Sequence, residues 1–337
     1  MNYPVNKKEY LKFCNFVTAE RQAGGPSANI RVVTELNRAW DLQGMDSVWF
    51  ACCYNAVYNA PAAAALYLRL KPSFLDSDLE EQCITLWPTL PIHSNRRRTV
   101  GSARRLAVIL DSFARWIDQT NWGRLQTLSY DDLWTELTSL YLVGRYFGVK
   151  LAGTLHRFGL VTAEQYDIRP AGAKNGRRTL ARIFPASPLP LDTKKNDSQT
   201  LALVDSLAAD LKEWMETTCG FTVSWFEYEA LLCEYNQLAK GKRYPGSTSD
   251  SDLGALQKVS LALGSSDPAV EAVFAARKAT HPSWALGEVG GWPGKRKDLL
   301  RLYADHGIIW SDSVYDYDCC YVDEGALLLV PREGVKR

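Results

Sequence analysis

No stretch of this 337-residue chain stays apolar for the roughly 20 residues that a membrane span requires. Apolar runs such as 48–57 and 62–70 stop short and carry polar or charged groups. The opening Met-Asn-Tyr-Pro-Val-Asn-Lys-Lys-Glu has no apolar core, so no secretory signal is expected. Metal-binding signals are also scarce. The four histidines, His93, His156, His281 and His306, are scattered, and the eight cysteines form neither a Cys-x-x-Cys nor any other regular spacing. Cys52-Cys53 and Cys319-Cys320 are adjacent, but neighbouring side chains point apart on a helix or strand. They are expected to be structural thiols of a cytoplasmic protein, with no metal site. There is no Walker loop, no Gly-x-Ser-x-Gly, no cysteine with a nearby histidine, and no His-x-Glu…Cys-x-x-Cys signature of zinc deaminases. An enzyme of this composition is expected to work by positioning and by stabilising an anionic leaving group, not through a covalent intermediate.

The chain also lacks an excess of either charge: its formal net charge is +1. A local surplus of cations is therefore not a by-product of bulk composition. Eleven arginines and lysines fall in the windows 96–105, 145–150 and 169–178, with Asp167 as the nearby counter-charge. Guanidinium groups hold phosphate oxygens in a bidentate fork and stay charged at cellular pH, so this clustering points to a phosphate backbone or a polyphosphate, against an ion-paired surface as the plainer reading. Gly101, Gly144, Gly148, Gly172 and Gly176 sit in or beside these segments, where small residues let backbone N–H groups approach an anion. The segment 169–178 is expected to be a loop that ends where a short helix begins, at 179–183, aiming a helix N-terminus at the anion.

The remaining pattern is helical. Leu106, Ile109, Leu110, Phe113 and Ile117 recur every three or four residues and predict a helix over 100–117. Ser129 before Tyr-Asp-Asp predicts an N-cap and a helix to about 142, followed by a second over 145–158 that stops at Gly159. Helices are expected over 198–218, 225–238, 252–263, 268–279 and 295–306, and strands only at 307–310 and 326–330, as a small β-hairpin near the C-terminus. Trp40, Trp49, Trp116, Trp134 and Trp214 are expected to pack in helices, leaving Trp292 and Tyr244, in glycine-rich loops, for ligand contact. Prolines over 184–196 predict an extended connector. The domain reading is a DNA-binding helical half at 1–184, a connector at 185–197, and a second helical half at 198–337 that completes a cleft.

Two segments carry candidate chemistry. The helix, glycine-containing turn and helix over 133–158 have the outline of a helix-hairpin-helix, which offers backbone amides to a DNA phosphate. Its usual Gly-x-Gly is missing, because Gly144 and Gly148 are four apart, and plain antiparallel packing is the alternative. On a helix over 225–238, Glu229, Cys233 and Asn236 share one face, so Glu229 is a candidate general base, with an exposed or ion-paired glutamate as the alternative.

Together, Trp49-Phe-Ala-Cys-Cys-Tyr-Asn55-Ala-Val-Tyr58-Asn59, Gly144-Arg145-Tyr146-Phe-Gly-Val-Lys150-Leu151, Asp167-Ile-Arg169-Pro-Ala-Gly172 with Arg177-Arg178, and Leu232-Cys-Glu-Tyr-Asn…Gly241-Lys-Arg243-Tyr244-Pro-Gly246 resemble the bacteriophage α-glutamyl/putrescinyl thymine pyrophosphorylases, or amino acid:DNA transferases. The resemblance spans about 49–252. It implies a mainly α, DNA glycosylase-like helical fold acting in thymine hypermodification in the cytoplasm of an infected bacterial host. Such enzymes act on double-stranded DNA in which 5-hydroxymethyluracil is activated as a pyrophosphate ester, and a small amine or amino acid displaces pyrophosphate at the 5-methylene carbon. No cofactor is implied, with Mg²⁺ an option on the leaving group.

By that resemblance Arg145, Lys150, Arg169, Lys174, Arg177 and Arg178 would lie near DNA phosphates or pyrophosphate. Asn55 and Tyr58 would lie near the extruded base, Tyr146 and Tyr244 would contact the substrate, Glu229 or Asp250 would lie near the incoming amine as base or orienting group, and Arg243 would hold an amino-acid carboxylate. No lysine and aspartate pair follows the hairpin as in DNA glycosylases, which puts base excision itself in doubt. A non-catalytic DNA-binding protein and a DNA glycosylase are the rival readings.

Overall fold

A computed structural model of the chain describes residues 3–22, 28–70, 78–90, 101–168, 174–191, 197–240, 247–281, 317–322 and 326–331. These residues are mainly helical. The first helices are α1 (Lys7–Gln22), α2 (Ala28–Ala39), α3 (Gly44–Val57), α4 (Ala60–Arg69) and α5 (Leu79–Leu86). Then come α6 (Ala103–Gln119), α7 (Trp122–Thr127), α8 (Tyr130–Ser139), α9 (Arg145–Arg157) and α10 (Lys174–Ile183). The series closes with α11 (Ser198–Cys219), α12 (Trp225–Leu238), α13 (Ser247–Leu263) and α14 (Pro268–Thr280). Two strands, β1 (Tyr317–Val322) and β2 (Ala326–Pro331), pair antiparallel with Tyr317 opposite Pro331 and Val322 opposite Ala326. The helix expected at 295–306 and the strand expected at 307–310 lie outside the described residues.

The helices sort into two units that interleave along the chain. Unit 1 takes 1–28, 166–250 and 281–337, and unit 2 takes 29–165 and 251–280. The connector at 185–197 is therefore not a unit boundary. The helices on either side of it, α10 and α11, belong to one core, in which Leu180, Ile183 and Phe184 pack with Val204, Leu207, Leu211 and Met215. Phe13, Phe16 and Val17 of α1 and Tyr228, Leu231, Leu232 and Tyr235 of α12 complete it. A proline-rich stretch marks where a helix must stop; it does not say whether the helices it joins share a core.

Local chemistry sets the helix ends. Asp197 caps α11 by accepting from the Thr200 N–H, and Gly220 ends it in the left-handed region at φ 73. Ser224 and Glu227 form a reciprocal capping box at the start of α12. In unit 2, Ser102 caps α6, whose Leu106, Ile109, Leu110, Phe113 and Ile117 are all buried.

The centre of unit 2 is α3. Every residue from Ser47 to Val57 is buried, and the helix packs against α4, α6 and α9. The Trp49 indole donates to the Leu70 carbonyl at 2.7 Å, tying α3 to the end of α4. An ion pair joins the last two helices of this unit: Arg277 Nη1 lies 3.6 Å from Asp252 Oδ2, both side chains being fully buried.

Candidate functional site

In unit 2, α8 and α9 form a tight helical hairpin. Ser129 caps α8 by accepting from the Asp132 N–H at 3.2 Å, with Asp131 and Asp132 in the first turn. The helix ends at Ser139, three residues before the expected 142, because Leu140 takes an extended conformation. Leu142 then adopts φ 62, in the left-handed region that leucine rarely enters. Val143 is buried and Gly144 is the exposed N-cap of α9, with no side-chain hydrogen bond at the cap. The residue in the left-handed region and the glycine are thus two apart.

Gly148 has a different task from the one its neighbours in sequence suggest. A β-carbon there would lie 2.7 Å from Thr138 Cγ2, so this glycine lets α9 approach α8. Arg145, first residue of α9, is exposed. Tyr146 is half-buried, and the Lys150 ammonium lies 5.6 Å from the centre of its ring. Lys150 is itself buried, at 2% exposure, and so is not part of an outward cationic face.

Asn55 is expected beside a base, but the structure places it in the core of unit 2. It is fully buried, and its amide donates to the Ala51 carbonyl at 2.9 Å and to Thr154 Oγ1 at 3.0 Å. Thr154 in turn donates to the Lys150 carbonyl at 2.8 Å. A buried amide N–H must be hydrogen-bonded, and the two bonds from the Asn55 nitrogen bridge α3 to α9. Tyr58 ends α3 in the left-handed region, at φ 52, with its half-buried ring 5.4 Å from that of Tyr54. Asn59 then caps α4, accepting from the Ala62 N–H at 3.0 Å.

In unit 1, the basic segment differs from the expected loop. Helix α10 begins at Lys174, not at 179, so Gly176, Arg177 and Arg178 are helical. Gly176 is buried where α10 packs on α12, with Ile168 Cδ1 and Leu232 Cβ each 3.9 Å from where its β-carbon would be, an ordinary contact distance. Arg177 is buried at 1% exposure, whereas Lys174 is exposed and Arg178 half-buried. The cationic surface of this helix is therefore Lys174, Arg178 and Arg182, spaced four apart on one face, without Arg177.

The opposing face of α12 carries the polar series. Cys233 Sγ donates to the buried Glu229 carboxylate at 3.1 Å, and Asn236 donates to Asn175 Oδ1 of α10 at 2.7 Å. Between them, the Thr179 hydroxyl donates to the Leu232 carbonyl at 2.7 Å. Glu229 is thus a sequestered carboxylate with a thiol donor, next to a seam where two helices exchange side-chain hydrogen bonds. Such a carboxylate is chemically suited to accept a proton. Asn175 and Thr179 carry no sequence signal of their own. Only the period of α10, started at Lys174, turns them toward α12.

The Asp250 side chain and Arg169, Arg243, Tyr244, Trp292 and Arg96 to Arg98 lie outside the described residues. Among the described residues no three histidine, cysteine, aspartate or glutamate side chains converge as metal ligands, and no helix is long and apolar enough to cross a membrane.

What fold and site define is a mainly helical protein of two units, with an α-hairpin in one and a buried glutamate in the other. Compared with known proteins, the chain matches no family model and no curated sequence.

Proposed function

We propose that the chain is a DNA-base-modifying transferase with a DNA glycosylase-like fold, acting on 5-(pyrophosphoryloxymethyl)uracil in double-stranded DNA. The single observation that carries the structural side of this reading is the α8–α9 turn. Leu142 in the left-handed region and Gly144 two residues later reproduce the spacing of the Gly-x-Gly turn whose literal glycines the sequence lacks. The N-terminus of α9 has no side-chain cap and bears an exposed Arg145, which suits it to a DNA phosphate.

In this reading the nitrogen of a small amine or amino acid attacks the 5-methylene carbon of the base. The carbon–oxygen bond breaks, pyrophosphate leaves with the electron pair, and the amine gives up a proton. Glu229 is the group assigned to receive or orient that proton, and Lys174 and Arg178 are assigned to phosphate oxygens. Magnesium enters only as a companion of the departing pyrophosphate. The roles first assigned to Asn55, Lys150 and Arg177 narrow to support from within the core, since all three are buried.

The test is incubation of the full chain with DNA carrying the pyrophosphorylated base and a pool of amines. Pyrophosphate release that is lost in Glu229→Gln supports the reading. Free base or abasic sites would replace it with glycosylase activity, and DNA binding without release from any amine would leave a binding protein.

A further inference from the structure

A polar seam joins α1 to α11 at the edge of the core of unit 1. Tyr10, Cys14 and Thr18 are four residues apart and share one face of α1. Opposite them are Trp214, Thr218 and Cys219, in the last turns of α11. The Tyr10 hydroxyl donates to the Trp214 carbonyl at 2.9 Å and shares a hydrogen bond with the Thr218 hydroxyl. Next to it, Cys219 Sγ donates to the Cys14 carbonyl at 3.6 Å, which brings the Cys219 sulfur against residue 14 of α1. Cys14 is buried, and Cys219 is half-buried at the helix end.

We propose that Cys14 and Cys219 are a redox-active pair that closes into a disulfide by exchange with a small-molecule disulfide of the glutathione class. The Cys219 thiolate attacks one sulfur of the small disulfide, forming a mixed disulfide and releasing one thiolate. The Cys14 thiol then loses its proton and attacks Cys219 sulfur, releasing the second thiolate. Two protein thiols are oxidised to one disulfide and one small disulfide is reduced to two thiols, so no other oxidant is needed.

The surroundings assign the order of attack. The hydrogen bond from Cys14 pulls the Cys219 thiol down to about 7 against the opposing effect of burial, with the Thr18 hydroxyl adding to the pull. The same bond, together with burial, pushes Cys14 up. Cys219 is also the member of the pair that solvent reaches, so it is the thiolate that meets the small disulfide. Cys52 and Cys53 are wholly buried and pushed up by burial, and burial pushes Cys83 up to about 12. Closing the pair links positions 205 residues apart, which restricts the unfolded chain and fastens α1 to the end of α11.

The test uses the full chain, incubated with oxidised glutathione, alkylated, digested and mapped by mass spectrometry. A Cys14–Cys219 cross-linked peptide that dithiothreitol removes is expected, together with a higher melting temperature in non-reducing buffer. Cys14→Ser should trap one glutathione on Cys219, because the resolving thiol is gone, and Cys219→Ser should leave Cys14 unmodified. Full alkylation of Cys14 in the treated wild-type chain would overturn the proposal. So would a stable adduct on Cys219 that never resolves while Cys14 is present.

Discussion

Gly148 and Thr138 meet across the α8–α9 hairpin so closely that a β-carbon on the glycine would lie 2.7 Å from the threonine Cγ2, a separation side chains do not tolerate. Gly148→Ala should therefore destabilise the chain by roughly 1–3 kcal/mol in chemical denaturation, although alanine is the better helix former. Thr138→Ser removes the offending methyl and keeps the hydroxyl that donates to the Trp134 carbonyl at 2.8 Å. In that background the alanine should become neutral or stabilising by up to about 1 kcal/mol. Equal effects in both backgrounds would show that the contact is not what makes glycine necessary.

Leu142 gives a test of the turn by sign. At an ordinary position glycine is less stable than alanine, but at φ 62 only glycine escapes the clash between β-carbon and carbonyl. Leu142→Gly should be more stable than Leu142→Ala by about 1 kcal/mol, read from denaturation midpoints. The reverse order would remove the left-handed turn on which the hairpin reading depends.

Arg177 and Arg178 are adjacent in sequence and should behave oppositely. Arg177→Ala empties a buried position and should lower stability by about 3 kcal/mol or more. Arg178→Ala, on the outer face with Lys174, should change stability by no more than about 0.5 kcal/mol. In DNA titrations Lys174→Glu and Arg178→Glu should weaken binding and lower the slope of log affinity against log salt by about 0.9 for each phosphate that is no longer neutralised. Unchanged slopes would take α10 off the DNA.

The helix over 100–117 is legible in the sequence because one face is apolar and Ser102 caps its start, and α12 runs over 225–238 as expected, with a capping box at its start. The helix α3 is not legible in this way. The central α3 is buried from Ser47 to Val57 on all sides, so it has no polar face to set a period. The segment 169–178 misleads because a glycine among cations looks like a phosphate loop, while Gly176 is buried in α10 against Leu232, 56 positions away in the chain. Once α10 is known to start at Lys174, the helical period places Gly176, Arg177 and Leu180 inward and Lys174 and Arg178 outward. The buried role of Asn55 is equally hidden, since its partner Thr154 lies 99 residues away.

Asp252 gives the chain a pH dependence of definite sign. Burial pushes its carboxyl up to about 6 from 3.8, against the opposing pull of Arg277. A carboxyl raised in the folded state favours folding when protonated. Its contribution is therefore full below about pH 4 and is lost as pH rises through about 6, an effect on the order of 3 kcal/mol. Denaturation midpoints measured from pH 4 to 8 should show Asp252→Asn gaining on the wild type across that window. A constant difference between the two proteins would mean that Asp252 does not titrate there.

A chain that forms a carbon–nitrogen bond on a DNA base must leave the nitrogen of its amine substrate in the DNA. The most direct measurement supplies a nitrogen-15-labelled amine or amino acid with DNA containing 5-(pyrophosphoryloxymethyl)uracil, then digests the DNA and weighs its nucleosides. A new nucleoside whose mass carries the label, formed in step with pyrophosphate, is the expected result. Nucleosides that remain unlabelled with every amine supplied, while the DNA is bound, would contradict the proposed activity.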